Sequence, residues 1–242
     1  MIKRLLLSVL LLLFAAAPLW AQDDAGDADY GSRHNQAQFW TSVKVNKDFK
    51  HGLSLSGQYI LRADLTYRML AGHYFYAGLK YKAHKYVQLD FKFRGVNTPD
   101  RNLYRFEVGI KPRYKYHDWT FAFRLGYFNE REYFARTYER GRYPNNYLRT
   151  RIEARWDFKK NWGAYLSAEA YTLLTNRGAF VRRVAFIAGV DYSFLKMHNI
   201  DVYYLAQPDF NKKTLSVVHA LSVTYTWDIP KKFKHKKKKK KD

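Results

Sequence analysis

Charged side chains recur at every second position along several segments of the chain, and this spacing is the clearest sign of chemistry in the sequence. The run Arg149–Arg155 shows it best, because three arginines and Glu153 alternate there with uncharged residues. Alternate side chains of an extended strand share one face, so these charges would line one surface. Guanidinium and carboxylate groups on one surface can pair with each other or bind a charged ligand. Ten charged residues lie at such alternate positions, on the polar face of their predicted strands: Arg105, Glu107, Arg124, Arg149, Arg151, Glu153, Arg155, Glu169, Arg183 and Asp191.

These ten residues allow two interpretations. In a wide interior the arginines, which outnumber the acidic residues, would line a pore or an anion-selective passage. In a narrow interior the opposite charges would form a network of ion pairs and hydrogen bonds that fills the space, since small barrels are closed by their own side chains. In both cases the charges must face a polar interior, because each would cost about 2 to 4 kcal/mol against hydrocarbon.

A second group of arginines lies between Asn129 and Asn146, which the sequence predicts to be the longest outer loop. Such a loop could bind phosphate groups of lipopolysaccharide or another ligand. Alternatively, Glu130, Glu132 and Glu139 balance the arginines, and the loop is only solvated. The arginines of this group are Arg131, Arg136, Arg140 and Arg142.

Catalytic chemistry has weaker support in the sequence. Ser216, His219 and Ser222 are close together, but residues three apart in a strand point to opposite faces. There is no Gly-x-Ser-x-Gly motif and no cluster of His, Asp and Glu with metal-ligand spacing. We therefore predict no enzyme, cofactor or metal site, and keep an outer-membrane lipid hydrolase as the alternative function.

The elements that would position the charges are long strands with one apolar face. Period-two alternation runs from Gln36 to Trp227 in eleven segments. Many have roughly 10 to 14 residues, whereas globular strands average about 5 to 6 and membrane strands need about 9 to 11. The sequence thus predicts an all-β, antiparallel, up-and-down transmembrane β-barrel. Because bacterial barrels usually have an even strand number, we expect about 12 strands, or alternatively about 10. Residues 30–38 would add a strand or thread the lumen.

The connections and the tryptophans predict the orientation of this barrel. Short connections alternate with longer ones, and barrels place short turns on the periplasmic side. Four tryptophans lie beside short turns or at the end of the last segment, as a periplasmic aromatic girdle requires. Both ends of the barrel chain are expected on that side. The girdle residues are Trp119, Trp156, Trp162 and Trp227.

The two ends of the sequence differ from the central part. Residues 1–21 resemble a signal peptide, with Lys3 and Arg4 before an apolar run, so we expect export to the outer membrane of a Gram-negative envelope. Residues 22–34 form an acidic flexible linker, 35–229 the barrel and 230–242 a lysine-rich disordered tail. The chain has no cysteine and therefore no disulfide.

Composition indicates the kinds of partner. The mean hydropathy is −0.52 although the chain has 21 Tyr and 17 Phe, which suits strands that are apolar on one face only. The net charge of +22 favours anionic lipid over nucleic acid for an exported protein. We expect outer-membrane lipids, lipopolysaccharide and the barrel-assembly machinery as partners. The C-terminal lysines could contact an anionic periplasmic surface.

From Phe39 to Trp227 the chain resembles a bacterial family of outer-membrane barrels known as domain-of-unknown-function 2490. The resemblance implies a barrel and supplies no activity. The lysine-rich tail departs from the family pattern. The resembling features are Trp40, the strand Arg149–Arg155, the segment Ala168–Tyr171, the segment Arg183–Tyr192 and the pair Tyr203 and Tyr204.

Overall fold

A computed structural model describes most of the predicted barrel. The predicted signal peptide, acidic linker and lysine-rich tail lie outside the described residues. Of residues 30–38, for which a strand or a path through the lumen was considered, 35–38 belong to the first strand and the others are not described. The described residues are 35–98, 102–133, 145–176, 178–195, 197–210 and 216–229.

Eleven strands form a single closed barrel in the described part of the chain. Each strand pairs in antiparallel fashion with its neighbours in sequence, as hairpin connections require. A 3-10 turn at Lys50–Gly52 joins the first two strands, and no described helix is long and apolar enough to cross a membrane. The strands are β1 (Asn35–Asp48), β2 (Leu53–Asp64), β3 (Met69–His84), β4 (Val87–Asn97), β5 (Asn102–Tyr116), β6 (Trp119–Tyr133), β7 (Asn145–Lys159), β8 (Trp162–Thr175), β9 (Gly178–Phe194), β10 (His198–Asp209) and β11 (Ser216–Ile229).

The barrel closes through a parallel pair, β1 with β11. Their register runs from Asn35 opposite Val217 to Lys47 opposite Ile229. A parallel pair permits an odd number of strands, because the first and last strands then run in the same direction. The expectation of 12 strands, the alternative of 10 and the assumption of a fully antiparallel sheet are therefore wrong.

The parallel pair also separates the two ends of the barrel chain. β1 begins where β11 begins, so Asn35 and Ile229 lie at opposite ends of the barrel. The linker and the tail, which were expected on one side, lie outside the described residues, but the barrel residues next to them lie at opposite ends.

The connections define two ends of the barrel. At the end we call the short-turn end, they have two to four residues. The opposite end, which we call the long-loop end, has one connection of only two residues, so the alternation in length is incomplete. The connections are 49–52, 85–86, 117–118, 160–161 and 195–197 at the short-turn end and 65–68, 98–101, 134–144, 176–177 and 210–215 at the long-loop end.

The wall has its polarity reversed relative to a soluble protein. Large apolar side chains of alternate residues point outward, and Phe106 and Ile152 are 57% and 59% exposed. Their sequence neighbours point inward, where Arg105 and Glu107 are each only 5% exposed. Because strand side chains alternate strictly between faces, one parity builds an apolar outer surface and the other a charged interior.

Aromatic rings form a chain of contacts around the outer surface near the short-turn end. Trp119 stacks on Trp156 with ring centroids 5.8 Å apart. Phe158 connects Trp156 to Trp162, whose ring lies 4.5 Å from that of Tyr192. Trp227, which is 40% exposed, is on the same end of the barrel, opposite His198 in the pairing of β10 with β11. The four tryptophans thus lie at one level, as an aromatic girdle requires.

Candidate functional site

The barrel interior contains a cavity of about 590 Å³. Ten of the described residues that line it are Lys or Arg and five are Asp or Glu. Eight of the ten charged residues singled out in the sequence line the cavity, and the other two, Arg124 and Glu153, are ion-paired to cavity-lining or interior side chains. The structure therefore brings all ten together inside the barrel.

A continuous ladder of ion pairs covers one wall of the cavity. Arg124 lies 3.3 Å from an Asp90 oxygen and 2.7 Å from a Glu107 oxygen. Glu107 also accepts two hydrogen bonds of 3.1 Å from Arg149, whose Nη2 donates to Glu169 at 2.9 Å. These residues belong to strands β4 to β8, which are neighbours in the sheet. The ladder holds the wall together through charges that are almost completely removed from solvent.

The ladder continues towards the short-turn end. Arg151 lies 3.8 Å from Glu169 and 2.8 Å from Glu153, and Lys111 lies 3.4 Å from Glu153. Separately, Arg155 makes two hydrogen bonds to Asp191, of 2.5 and 3.0 Å. These ion pairs offset the cost of removing the carboxylate charges from water, which is high in low-dielectric surroundings.

The opposite wall, around β1 and β11, has fewer charges, and Lys44 and Asp228 are the charged residues of these two strands that line the cavity. Ser42 Oγ donates a hydrogen bond of 2.7 Å to Thr224 Oγ1, and Gln58 Nε2 donates one of 3.1 Å to Ser42. Ser222 is 1% exposed and lies on the same inner face. The cavity thus has one wall covered by ion pairs and one wall on which hydroxyl and amide groups lie beside two charged side chains.

Four arginines outside the ladder stack on aromatic rings in the half of the interior nearer the long-loop end, and Arg149 of the ladder lies 5.6 Å from the ring centre of Tyr171. The Cζ atom of Arg62 lies 3.6 Å from the ring centre of Trp40 and 3.9 Å from that of Tyr74. Arg94 lies over the same Tyr74 ring at 4.8 Å and over Tyr76 at 5.4 Å. One ring thus holds two guanidinium groups close together.

The other two arginines of this group are connected in the same manner. Arg105 lies 3.8 Å from the ring centre of Phe128, and Arg183 lies 4.3 Å from that of Tyr171. The two rings are in edge-to-face contact, 6.1 Å apart. We call the whole group the arginine–aromatic cluster: Arg62, Arg94, Arg105 and Arg183 with Trp40, Tyr74, Tyr76, Phe128 and Tyr171.

Compensation of charge in the arginine–aromatic cluster is incomplete. Arg105 forms an ion pair with Glu130. None of the ion pairs among the described residues includes Arg62, Arg94 or Arg183. The Nε atoms of these three side chains are buried and lack a hydrogen-bond partner in the described part of the chain. A buried cation normally has a partner, so this cluster has capacity for an added anion.

Comparison with known proteins gives the family. A family model described as "Protein of unknown function (DUF2490)" matches residues 37–217. The chain belongs to the DUF2490 family. The resemblance found in the sequence is thereby confirmed, and the matched residues extend from β1 into β11.

Two solved structures are among those to which the chain is similar. A "Bacterial polysaccharide outer membrane secretin" is 10% identical, with a TM-score of 0.46, over 69% of this chain and 72% of that one. Pseudomonas aeruginosa OccK8 (OprE) is 9% identical, with a TM-score of 0.36, over 69% of this chain and 57% of its own. A search of curated proteins gives no match.

Sequence reasoning about this DUF2490 protein missed important members of the site. Arg62 was not among the ten charged residues singled out in the sequence, although β2 continues to Asp64 and includes it. Glu130 and Arg131 were placed in the outer loop, whereas both belong to β6. The signal that could have found Arg62 is its parity with Gln58 and Ile60, which also face the interior.

The predicted outer-loop arginines are not brought together by the described structure. Arg131 is in β6, and its Nε donates a hydrogen bond of 2.9 Å to Asn129 Oδ1. Its assignment to the loop is therefore wrong. Arg136, Arg140 and Arg142 lie outside the described residues.

The residues considered for hydrolysis are on two faces of β11. Ser216 and Ser222 are buried on the inner face, at 3% and 1% exposure. His219 is on the outer face, where its Nδ1 shares a hydrogen bond of 2.5 Å with the hydroxyl of Tyr204. Within the described ranges, no group of three or more His, Cys, Asp or Glu could hold a metal ion.

Proposed function

We propose that this DUF2490 protein is an outer-membrane barrel that admits and binds small anionic solutes in its arginine-rich interior. The observation that carries the proposal is the reversed polarity of the wall. Apolar side chains cover the outside, whereas the inside holds charges, most of them cationic. A soluble barrel has the opposite distribution, because its apolar side chains leave water on folding.

The dimensions of the strands support a position in a membrane. They have 11 to 17 residues, and a tilted strand needs about 9 to 11 to cross the hydrocarbon core. A closed barrel also satisfies the backbone hydrogen bonds of every strand, which hydrocarbon requires. The girdle supports a membrane interface at the short-turn end, and the short turns support the assignment of that end to the periplasmic side.

The excess of cations supports selection for anions. A cavity with low-dielectric walls concentrates ions of the opposite charge, and basic groups here outnumber acidic ones two to one. The ion-pair ladder occupies one wall, so a solute would move along the wall of β1 and β11, which has fewer charges. Transport in this proposal is passive, by diffusion through the interior.

The proposal includes partners that this environment implies. Outer-membrane lipids and lipopolysaccharide would surround the apolar belt, and the barrel-assembly machinery would insert the chain. Contact of the C-terminal lysines with an anionic periplasmic surface stays a prediction, since residues 230–242 lie outside the described structure.

Uptake by liposomes tests the proposed function. The full chain, reconstituted into liposomes, should admit a small monovalent anion such as gluconate faster than a cation of similar size, because the interior attracts negative charge. The measurement is the rate of osmotic swelling, with protein-free liposomes as the control. Equal rates for both solutes, or no entry above the control with folded protein, would contradict the proposal.

A further inference from the structure

We infer that the arginine–aromatic cluster is a specific binding site for the phosphate group of a small phosphate monoester. The inference rests on the proposed function, because the solute must be able to enter the interior. It adds to that function a defined site with a defined ligand chemistry. The site consists of Arg62, Arg94 and Arg183 beside the ion-paired Arg105.

The unbalanced charge is the first argument. Four guanidinium groups converge in this half of the interior and Glu130 compensates Arg105. Three cations thus remain without a carboxylate partner among the described residues. A phosphate monoester carries almost two negative charges at neutral pH and three strong acceptor oxygens. It therefore compensates this site better than a chloride ion or a single carboxylate.

The orientation of the guanidinium groups is the second argument. One face of each guanidinium group stacks on an aromatic ring. The distance from the Cζ atom to the ring centre is 3.6 Å for Arg62 and 4.3 Å for Arg183. Stacking of this kind fixes the plane of the group and keeps its edge, with the N–H donors, off the ring. Arg62, Arg94 and Arg183 all line the cavity. Their donors are thus preorganised, which lowers the entropic cost of binding an oxyanion.

The surroundings suit the organic part of such a ligand. Trp40 of the cluster meets Tyr203 edge to face, with ring centroids 6.5 Å apart. The wall of β1 and β11 adds the hydroxyl groups of Ser42 and Thr224, which lie 2.7 Å apart. A small polyhydroxylated ester can place its phosphate on the arginines and its hydroxyl groups on this wall. Ion-pair stabilisation of the fold is a poor alternative explanation for Arg62 and Arg94, since neither has an acidic partner in the described structure.

The test is a binding titration of the full chain, folded in detergent micelles, with inorganic phosphate and with glucose 6-phosphate. Glucose is the uncharged control ligand. The variants are Arg62→Gln and Arg94→Gln, each of which removes one stacked guanidinium group. Lys80→Gln is the matched control, because Lys80 also lines the cavity but is outside the cluster. Circular dichroism establishes that each variant is folded.

We expect both phosphate ligands to bind the wild type and glucose not to bind. Each arginine substitution should weaken binding by about tenfold or more, as expected for the loss of charge-assisted hydrogen bonds. Lys80→Gln should change the affinity by less than about threefold, since it alters only the general charge of the cavity.

Two results would overturn the inference. One is the absence of phosphate binding by folded wild-type protein. The other is an equal loss of affinity in all three variants, which would indicate general charge attraction. If phosphate does not bind but liposomes still admit gluconate faster than a cation, the site is wrong and the proposed function stands. If phosphate does not bind and liposomes do not admit gluconate faster than a cation, the site and the proposed function are both wrong.

Discussion

Replacing Glu107 with Gln should lower the free energy of unfolding by about 3 to 5 kcal/mol, which is the usual cost of removing one partner from a buried ion pair. Glu107 is 5% exposed and contacts two arginines, Arg124 and Arg149. Glutamine keeps the size of the side chain but removes the charge that both guanidinium groups require. Arg149 would keep Glu169, and Arg124 would keep only the 3.3 Å contact with Asp90.

The measurement is urea unfolding of the protein in lipid vesicles, followed by tryptophan fluorescence. Asp157→Asn is the matched control, because Asp157 is 37% exposed and its partner Arg155 keeps Asp191. A partly exposed pair contributes at most about 1 kcal/mol, so the control should be nearly neutral. If the two substitutions have equal effects, the ladder is not the element that holds the charged wall together.

The second large effect is expected on the outer surface. Val108 is near the middle of the 15-residue strand β5, on the outer face, and is 47% exposed. In a membrane, Val108→Arg would place a charge at the hydrocarbon midplane, at a cost of about 2 to 4 kcal/mol. In a soluble protein the same substitution on a half-exposed residue would change stability by about 0.5 kcal/mol or less. The size of the loss in stability therefore indicates whether the outer surface faces hydrocarbon or water.

Tyr116→Arg is the matched control for Val108→Arg. Tyr116 is the last residue of β5, lies at the short-turn end and is 56% exposed. Near the membrane interface an arginine costs about 0 to 1 kcal/mol. Unfolding in vesicles should therefore separate the two variants clearly. Equal stability of Val108→Arg and wild type would contradict the placement of this surface in hydrocarbon.

Strict alternation made the wall of the barrel predictable from sequence. A strand residue can face only inward or outward, so the parity of Arg149, Arg151 and Glu153 placed them inside without knowledge of their partners. The partners themselves are not local. Glu107 meets Arg149, which is 42 residues away, and no spacing along the chain encodes that contact. The ladder and the arginine–aromatic cluster therefore needed the register of neighbouring strands.

The predicted number of strands was wrong for a related reason. Closure depends on how the first and last strands pair, and β1 is parallel to β11 across more than 180 residues of sequence. Strand ends failed for a local reason. The carboxylate of Asp64 accepts hydrogen bonds from the backbone N–H groups of Thr66 and Tyr67, so the turn begins after Asp64 and Arg62 stays in β2. An aspartate that accepts such hydrogen bonds is typical of a turn, which favours a strand end before Asp64. The position of Asp64 two residues after Arg62 equally fits a strand that continues through both residues.

The central claim is that an apolar wall encloses an interior selective for anions, and the reversal potential tests it most directly. The full chain, in a planar bilayer with a KCl gradient, should conduct in discrete steps. Because basic groups dominate the cavity, the current should reverse close to the equilibrium potential of chloride. A reversal potential on the potassium side, or no current steps from protein shown to be folded and inserted, would contradict it.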